Sequence, residues 1–330
     1  MSDSAVVPFV ARPPGTPPAI SAQRVDRGVD YGPLESVMSE PDVTDVFVNG
    51  PRRMWVDRGD GLVRHPFTLD EPELRELATR LVWAGGRHID EASPTVDARL
   101  PGGVRVHAVL PPISPAGTLL SIRVPSPHPL TLADLEARGF FGEMALERVR
   151  ALVAARVNLL ITGASGSGKT TLLSALLGSA PDGERIVAIE DVAELRPGHP
   201  HFVCLEARQA NLEGAGGLGL ARLLRESLRM RPDRLVLGEC RGEEIRELLS
   251  ALNTGHDGGA GTLHANSLAD VPARLEALGA LAGLDPWAIA RQAVSAIGAV
   301  LHIEREGGMR RLAGIARFAL DGAGRLTVVP

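Results

Sequence analysis

Gly163-Ala164-Ser165-Gly166-Ser167-Gly168-Lys169-Thr170 places two glycines, a lysine and a hydroxyl residue at G-x-x-x-x-G-K-[ST] spacing, and the chemistry of that pattern is polyphosphate binding. Glycines let successive backbone N–H groups turn inward around phosphate oxygens, and a helix starting just after them adds its positive end. Lys169 brings a compact charge to the β- and γ-phosphates, where a planar guanidinium is too large and wrongly shaped. Composition makes the same point, because Lys169 is the one lysine among 35 Lys and Arg residues. Thr170 is expected to place its hydroxyl on Mg²⁺, with Thr171 behind it. The implied ligands are ATP and Mg²⁺.

Two further apolar runs end in carboxylates: Val187-Ala188-Ile189-Glu190-Asp191 and Leu235-Val236-Leu237-Gly238-Glu239. In a parallel sheet the C-terminal strand ends line the ligand crevice, so both clusters would stand beside the loop, where Mg²⁺ and an attacking water need carboxylates. Taken alone, either is an ordinary solvated strand end. Glu239 with Thr170 is the expected Mg²⁺ set, partly through water. His256 and His264 flank another strand-like run; neutral imidazoles can orient water or report on a γ-phosphate, while a metal site lacks a third ligand at suitable spacing. Arg99, Arg105 and Arg123 fall on strands around the Gly102-Gly103 turn. Arginine suits clamping of phosphate oxygens across a domain or subunit boundary, although in a chain this rich in arginine most are surface charges.

The elements that must position these residues divide the 330-residue chain, about twice a typical domain in length, into two folded parts. Residues 1–30, with five prolines and little periodicity, read as an extended, disordered arm. Residues 31–124 read as an α+β domain: strands near 43–48, 53–56, 96–100, 104–110 and 119–124, and an amphipathic helix over 70–84 ending at Gly85-Gly86. Residues 125–142, proline-rich at their start, read as a linker that carries a short helix near 132–137, and a second short helix is expected near 143–155. Over 143–330, short apolar runs alternate with helical ones, so the expectation is an α/β fold with a largely parallel sheet flanked by helices, closed by a turn at Glu306-Gly307-Gly308 and two strands.

Composition bounds the function class. The chain is 44% apolar and 23% charged, ordinary for a folded soluble protein. A net charge of −5 and 3% aromatic residues argue against a nucleic-acid channel, which needs basic and aromatic walls. Cys204 and Cys240 form no C-x-x-C pair, pointing to a reduced compartment. No signal peptide or stretch of about 18 uncharged apolar residues is evident.

The order of motifs resembles one family. After the phosphate loop come Ile189-Glu190-Asp191-Val192-Ala193-Glu194-Leu195, Leu228-Arg229-Met230-Arg231-Pro232-Asp233-Arg234, Gly238-Glu239-Cys240-Arg241-Gly242, Asn253-Thr254-Gly255-His256-Asp257-Gly258 and Leu263-His264-Ala265-Asn266. Before it come Thr44-Asp45-Val46-Phe47-Val48-Asn49-Gly50, Ile89-Asp90-Glu91-Ala92-Ser93-Pro94, the 96–106 segment and Ser121-Ile122-Arg123. Over about residues 40–320 this is similar to the type II/type IV secretion traffic ATPases, most of all the branch that drives tight-adherence (Flp-type) pilus assembly. Departures are Val124 after Arg123, where the family usually has a basic residue, the glycine-rich 258–261 segment, and Ala221 at a common arginine position.

The resemblance implies a RecA-like P-loop core and a cytoplasmic homohexamer, held at the inner face of the membrane on a platform protein, that converts ATP hydrolysis into pilin polymerisation or secretion. It implies that Glu190 polarises the water, that Glu239 is the acid of the second nucleotide motif, that His264 lies near the γ-phosphate, and that Arg99, Arg105 and Arg123 reach the phosphates. Two other readings stay open: a nucleotide-gated docking subunit that barely hydrolyses ATP, and a RecA-like nucleic-acid motor.

Overall fold

A computed structural model describes residues 28–59, 61–125, 129–142, 146–208, 216–306 and 309–330; all but the end of the proline-rich arm, and the Gly307-Gly308 turn, lie outside them. The chain forms two compact units, Met1–Val56 with Arg64–Pro127, and Asp57–Val63 with His128–Pro330.

The first unit begins with the short helix α1 (Glu35–Met38). Strands β1 (Asp45–Asn49), β2 (Met54–Asp57) and β3 (Leu62–His65) follow, then helix α2 (Glu71–Ala84) and strands β4 (Thr95–Arg99), β5 (Arg105–Val109) and β6 (Leu119–Arg123). They form a six-stranded sheet in the order β3-β2-β1-β6-β5-β4. Helix α2 starts at a reciprocal cap: the Asp70 carboxylate accepts from Glu73 N–H and the Glu73 carboxylate from Asp70 N–H, which satisfies two donors the helix leaves unpaired. Its buried residues Leu74, Leu77, Ala78, Leu81 and Val82 recur at i, i+3, i+4, i+7 and i+8, the spacing of one apolar stripe. In the sheet, Ala98, Val106, Ile122 and Val46 are register partners and all are buried. One residue along, Arg99, Arg105, Arg123 and Asp45 form the next cross-strand row, which the pleat places on the other face.

The second unit continues with α3 (Leu132–Ala137), α4 (Leu146–Ala154), β7 (Leu159–Gly163), α5 (Lys169–Gly178), β8 (Ile186–Glu190), β9 (Phe202–Glu206) and α6 (Leu220–Ser227). Then come β10 (Arg234–Cys240), α7 (Glu244–Leu252), β11 (Ala260–His264), α8 (Val271–Leu281), α9 (Pro286–Ala296), β12 (Ala299–Glu306), β13 (Met309–Leu320) and β14 (Leu326–Val329). The eight-stranded sheet runs β14-β13-β12-β7-β11-β10-β8-β9. It is parallel from β12 to β9 and antiparallel at β12–β13 and β13–β14, so the core is the expected α/β arrangement with a mixed, mostly parallel sheet. Strands β7 and β8 are buried throughout because one face packs with α6, α7, α8 and α9 and the other with α3, α4 and α5, which is why they read as unbroken apolar runs. Of the stretch read as a linker, Leu132, Leu135, Phe140 and Phe141 are buried in that second core. At the start of β10, the Glu184 carboxylate accepts from Arg156 and from buried Arg234, and Arg234 also donates to the Val153 and Gly258 carbonyls. A buried charge is tolerated when its donors are filled in this way.

Candidate functional site

The phosphate-binding loop leaves β7 at Gly163 and enters α5 at Lys169. A Cβ on Gly163 would lie 2.5 Å from the Ile303 carbonyl oxygen, so the strand can turn there only without a side chain. Gly168 caps α5 with φ 100°, a left-handed conformation that costs other residues free energy. Lys169 is only 7% exposed. Its Nζ donates to the Gly163 and Ala164 carbonyls at 3.1 and 2.9 Å and lies 3.2 Å from His264 Nδ1. An ammonium has donors and no acceptor, so Nδ1 is the acceptor and His264 is neutral, with its proton on Nε2. Burial pulls the Lys169 pKa below its ordinary value, with the Arg241 charge adding and Glu239 opposing. The lysine is thus folded back on its own loop, its donors held by two carbonyls that phosphate oxygens would replace.

Next to it stands a charged chain. His264 Nε2 lies 2.7 Å from Glu239 Oε1, a buried oxygen that no hydrogen-bond donor is aligned to meet. Arg241 donates to Glu239 Oε2 at 2.6 Å and stands 3.7 Å from Asp191. Burial pushes the Glu239 carboxyl up, but the Arg241 hydrogen bond and the charges of Arg241 and Lys169 outweigh it and leave the pKa below the ordinary carboxylate value. Burial and the Lys169 charge hold His264 below the ordinary imidazole value. The Glu244 carboxylate accepts from the N–H groups of Arg241 and Gly242 and so fixes the bend that aims Arg241 back at Glu239. At neutral pH the cluster therefore holds an ionised carboxylate and a neutral imidazole beside the lysine.

Glu190 ends β8 at the same C-terminal edge, 4% exposed. Its Oε1 accepts from Glu194 and Leu195 N–H, both at 3.1 Å, and its Oε2 from Leu195 N–H and Cys204 S–H, both at 3.2 Å. Burial raises its pKa, with these hydrogen bonds opposing, so it is a more basic carboxylate than an exposed one. Asp191, the next residue, is exposed and faces Arg241 instead.

Of the residues singled out in the sequence, the structure brings Lys169, Glu239 and His264 together. Thr170 is half-buried in the first turn of α5, Thr171 is exposed, and Ala164, Ser165 and Gly166 lie open on the loop. Ser167 is buried, and its Oγ has no hydrogen-bond partner. His256 bonds through Nδ1 with the Ala251 carbonyl ahead of β11, at the opposite end of that strand from His264, so the two histidines do not share a site. Arg99, Arg105 and Arg123 form the cross-strand row of the first unit, where Arg123 Nε donates to Asp45 at 3.4 Å. Among the described residues no group of three or more His, Cys, Asp or Glu is placed to hold a metal by itself. The sequence names Asp191 beside Glu190 and shows Arg241 only as part of the Gly238–Gly242 motif, with no role of its own; sequence reasoning missed Arg310, whose Nε donates to the Gly166 carbonyl at 3.0 Å. The signal for Arg241 was its place two residues after Glu239; nothing in the sequence marked Arg310.

Known proteins match this arrangement. The family described as Type II/IV secretion system protein matches residues 28–305. A putative conjugal transfer protein of Mycobacterium tuberculosis (strain H37Rv) is 51% identical over 293 residues, covering 86% of this chain and 83% of that one. The conjugal transfer protein TrbB of Rhizobium radiobacter is 31% identical over 287 residues, covering 83% of each. The crystal structure of the pilus retraction motor PilT with bound ADP shares the fold, with a TM-score of 0.58, 19% identity, and coverage of 90% of this chain and 82% of that one. With its phosphate loop, Glu239 and His264 set at one edge of a mostly parallel sheet, the chain belongs to the type II/IV secretion system protein family, whose members are ATPases.

Proposed function

We propose that this ATPase is a ring-forming motor that drives macromolecular transport or filament assembly at a membrane, and the observation that carries the reading is the Lys169–His264–Glu239–Arg241 chain beside the phosphate loop. In it, Lys169 exchanges loop carbonyls for the β- and γ-phosphates, His264 senses the γ-phosphate through its contact with that lysine, and Glu190, made more basic by burial, takes the proton of the attacking water. The hydrogen bonds from Glu194, Leu195 and Cys204 hold the Glu190 carboxylate in one orientation for that task. Thr170 and Glu239 would hold Mg²⁺ together with phosphate oxygens and water; Glu239 Oε1, close to His264 but with no hydrogen-bond donor aligned on it, fits a cation that binds through one or two carboxylates. Bound Mg²⁺ would neutralise charge on the phosphates.

The names of the relatives favour conjugation or type IV secretion as the work done, while the tight-adherence pilus branch rests on motif resemblance alone. Arg99, Arg105 and Arg123 are proposed to reach the phosphates from the first unit, and the working form is proposed to be a cytoplasmic homohexamer seated on an inner-membrane platform protein. Among the described residues no helix is long and apolar enough to cross a membrane, so attachment through a partner is in keeping with the structure. The test is steady-state ATPase activity against protein concentration, with light-scattering mass on the same samples. Activity rising with a hexamer-sized species is expected; a monomer that binds ATP tightly without turning it over would overturn the motor in favour of a nucleotide-gated docking subunit.

A further inference from the structure

We propose that Arg310 binds the nucleoside end of ATP, its guanidinium plane lying against the base and sugar. The residue opens β13, opposite Arg305 in the β12–β13 hairpin, beyond the 28–305 segment that matches the family. Its stem lies across the phosphate loop: the Cδ is 3.3 Å from where a Cβ on Gly168 would stand, and the Nε donates to the Gly166 carbonyl at 3.0 Å. That bond fixes the guanidinium against the loop and leaves the terminal nitrogens and the open face of the plane for a ligand.

Sheet order says which end of the nucleotide this is. Strand β7 has β11 on one side and β12 on the other. The γ-phosphate side is toward β11 and β10, since Lys169 meets His264 at the end of β11 and Glu239 comes from β10. A nucleotide is a linear molecule with its triphosphate at one end, so its sugar and base leave the loop toward β12 and β13, where Arg310 stands. Purines are usually packed against a flat apolar or aromatic surface. Here the aromatic side chains beside the start of β13, Phe140 and Phe141, are buried in contact with each other. A guanidinium is planar and stacks on aromatic faces, and Arg310 is exposed and already held in orientation.

This inference rests on the ATP-binding reading, and the experiment separates the two. Binding of Mg-ATP and of Mg-tripolyphosphate is measured by calorimetry on the full chain as wild type, Arg310→Ala and Arg310→Lys. Tripolyphosphate has the phosphates and no nucleoside. Arg310→Ala is expected to weaken ATP about tenfold, the loss of one planar cation stacked on the nucleoside, and to leave tripolyphosphate within about twofold. Arg310→Lys, with the charge but no plane, is expected to lose nearly as much ATP affinity. Equal weakening of both ligands would overturn the proposal, showing that Arg310 only supports the loop backbone, and so would no change in either. Wild-type protein that bound neither ligand would overturn the ATP-binding reading itself.

Discussion

Glu190→Gln keeps the shape of the side chain while removing its charge and one of its two acceptor oxygens, so it separates the proposed catalytic use of this residue from its structural one. With the amide oxygen in the Oε1 position, the variant keeps the bonds from Glu194 and Leu195 N–H. The amide nitrogen then faces the Leu195 N–H and the Cys204 thiol, and those two weaker bonds are lost. At about 0.5–1.5 kcal/mol for a neutral hydrogen bond, and with a buried charge removed at the same time, the net destabilisation stays within about 2 kcal/mol. For a unit of this size that is a shift of about 2–4 °C in melting temperature per kcal/mol. Loss of a general base costs about 10²–10⁴ in rate. The expected result is therefore a kcat reduced at least about a hundredfold, an ATP dissociation constant within about threefold of wild type, and a loss of a few degrees in melting temperature. Single-turnover hydrolysis, equilibrium nucleotide binding and thermal unfolding on the same preparation read the three separately. A variant hydrolysing at the wild-type rate would show that Glu190 only holds the 191–195 turn, and ATP affinity falling in step with turnover would place it in binding.

Lys169→Ala removes the ammonium that both loop carbonyls now hold, and turnover should fall at least about a hundredfold with ATP affinity, as when one phosphate-facing donor is lost; wild-type turnover would remove the site from this loop. Burial holds His264 and His302 below the ordinary imidazole value of 6.5, so between those lowered values and 6.5 the unfolded chain binds more protons than the folded one, and stability falls as pH drops through that window. Melting temperature measured from pH 8 to 5 should be level above about 7 and decline below about 6.5, with turnover declining as His264 takes up a proton and gives up the Lys169 bond. Stability rising on acidification through that window would contradict the neutral, buried state of both rings.

The sequence reveals the phosphate loop because its chemistry is local: glycine, lysine and threonine must be adjacent along the chain to surround one phosphate. It reveals most strands for a related reason, since strands such as β7 and β8 are covered on both faces and appear as unbroken apolar runs. Strands β3 and β9 escape notice because Leu62–His65 is exposed on both faces and Phe202–Glu206 is a half-buried edge strand, so neither carries a clear apolar pattern. At the end of β8 the sequence names two adjacent carboxylates but not their directions. Alternation sends Glu190 inward to its own turn and Asp191 out to Arg241, and which is which depends on how β8 sits between β9 and β10. The direction of Arg241 is hidden for a similar reason, because its aim is set by Glu244 capping the bend, a contact that exists only in the folded chain. The helix at 132–137 is legible in the sequence, but the prolines before it make 125–142 read as a linker, although its apolar side chains fill the second core.

The single lysine, buried beneath loop carbonyls, also decides how the molecule meets amine chemistry. Reagents that acylate ε-amines have one side chain to find in all 330 residues, and it sits at the proposed phosphate site, with a lowered pKa that enlarges its uncharged, nucleophilic fraction. On the proposed role of Lys169, the extent of labelling at that position is expected to report nucleotide occupancy, and modification there is expected to stop turnover. Lysine-to-lysine cross-linking, by contrast, cannot map contacts between copies of this chain; its surface must be charted through carboxylates and guanidinium groups.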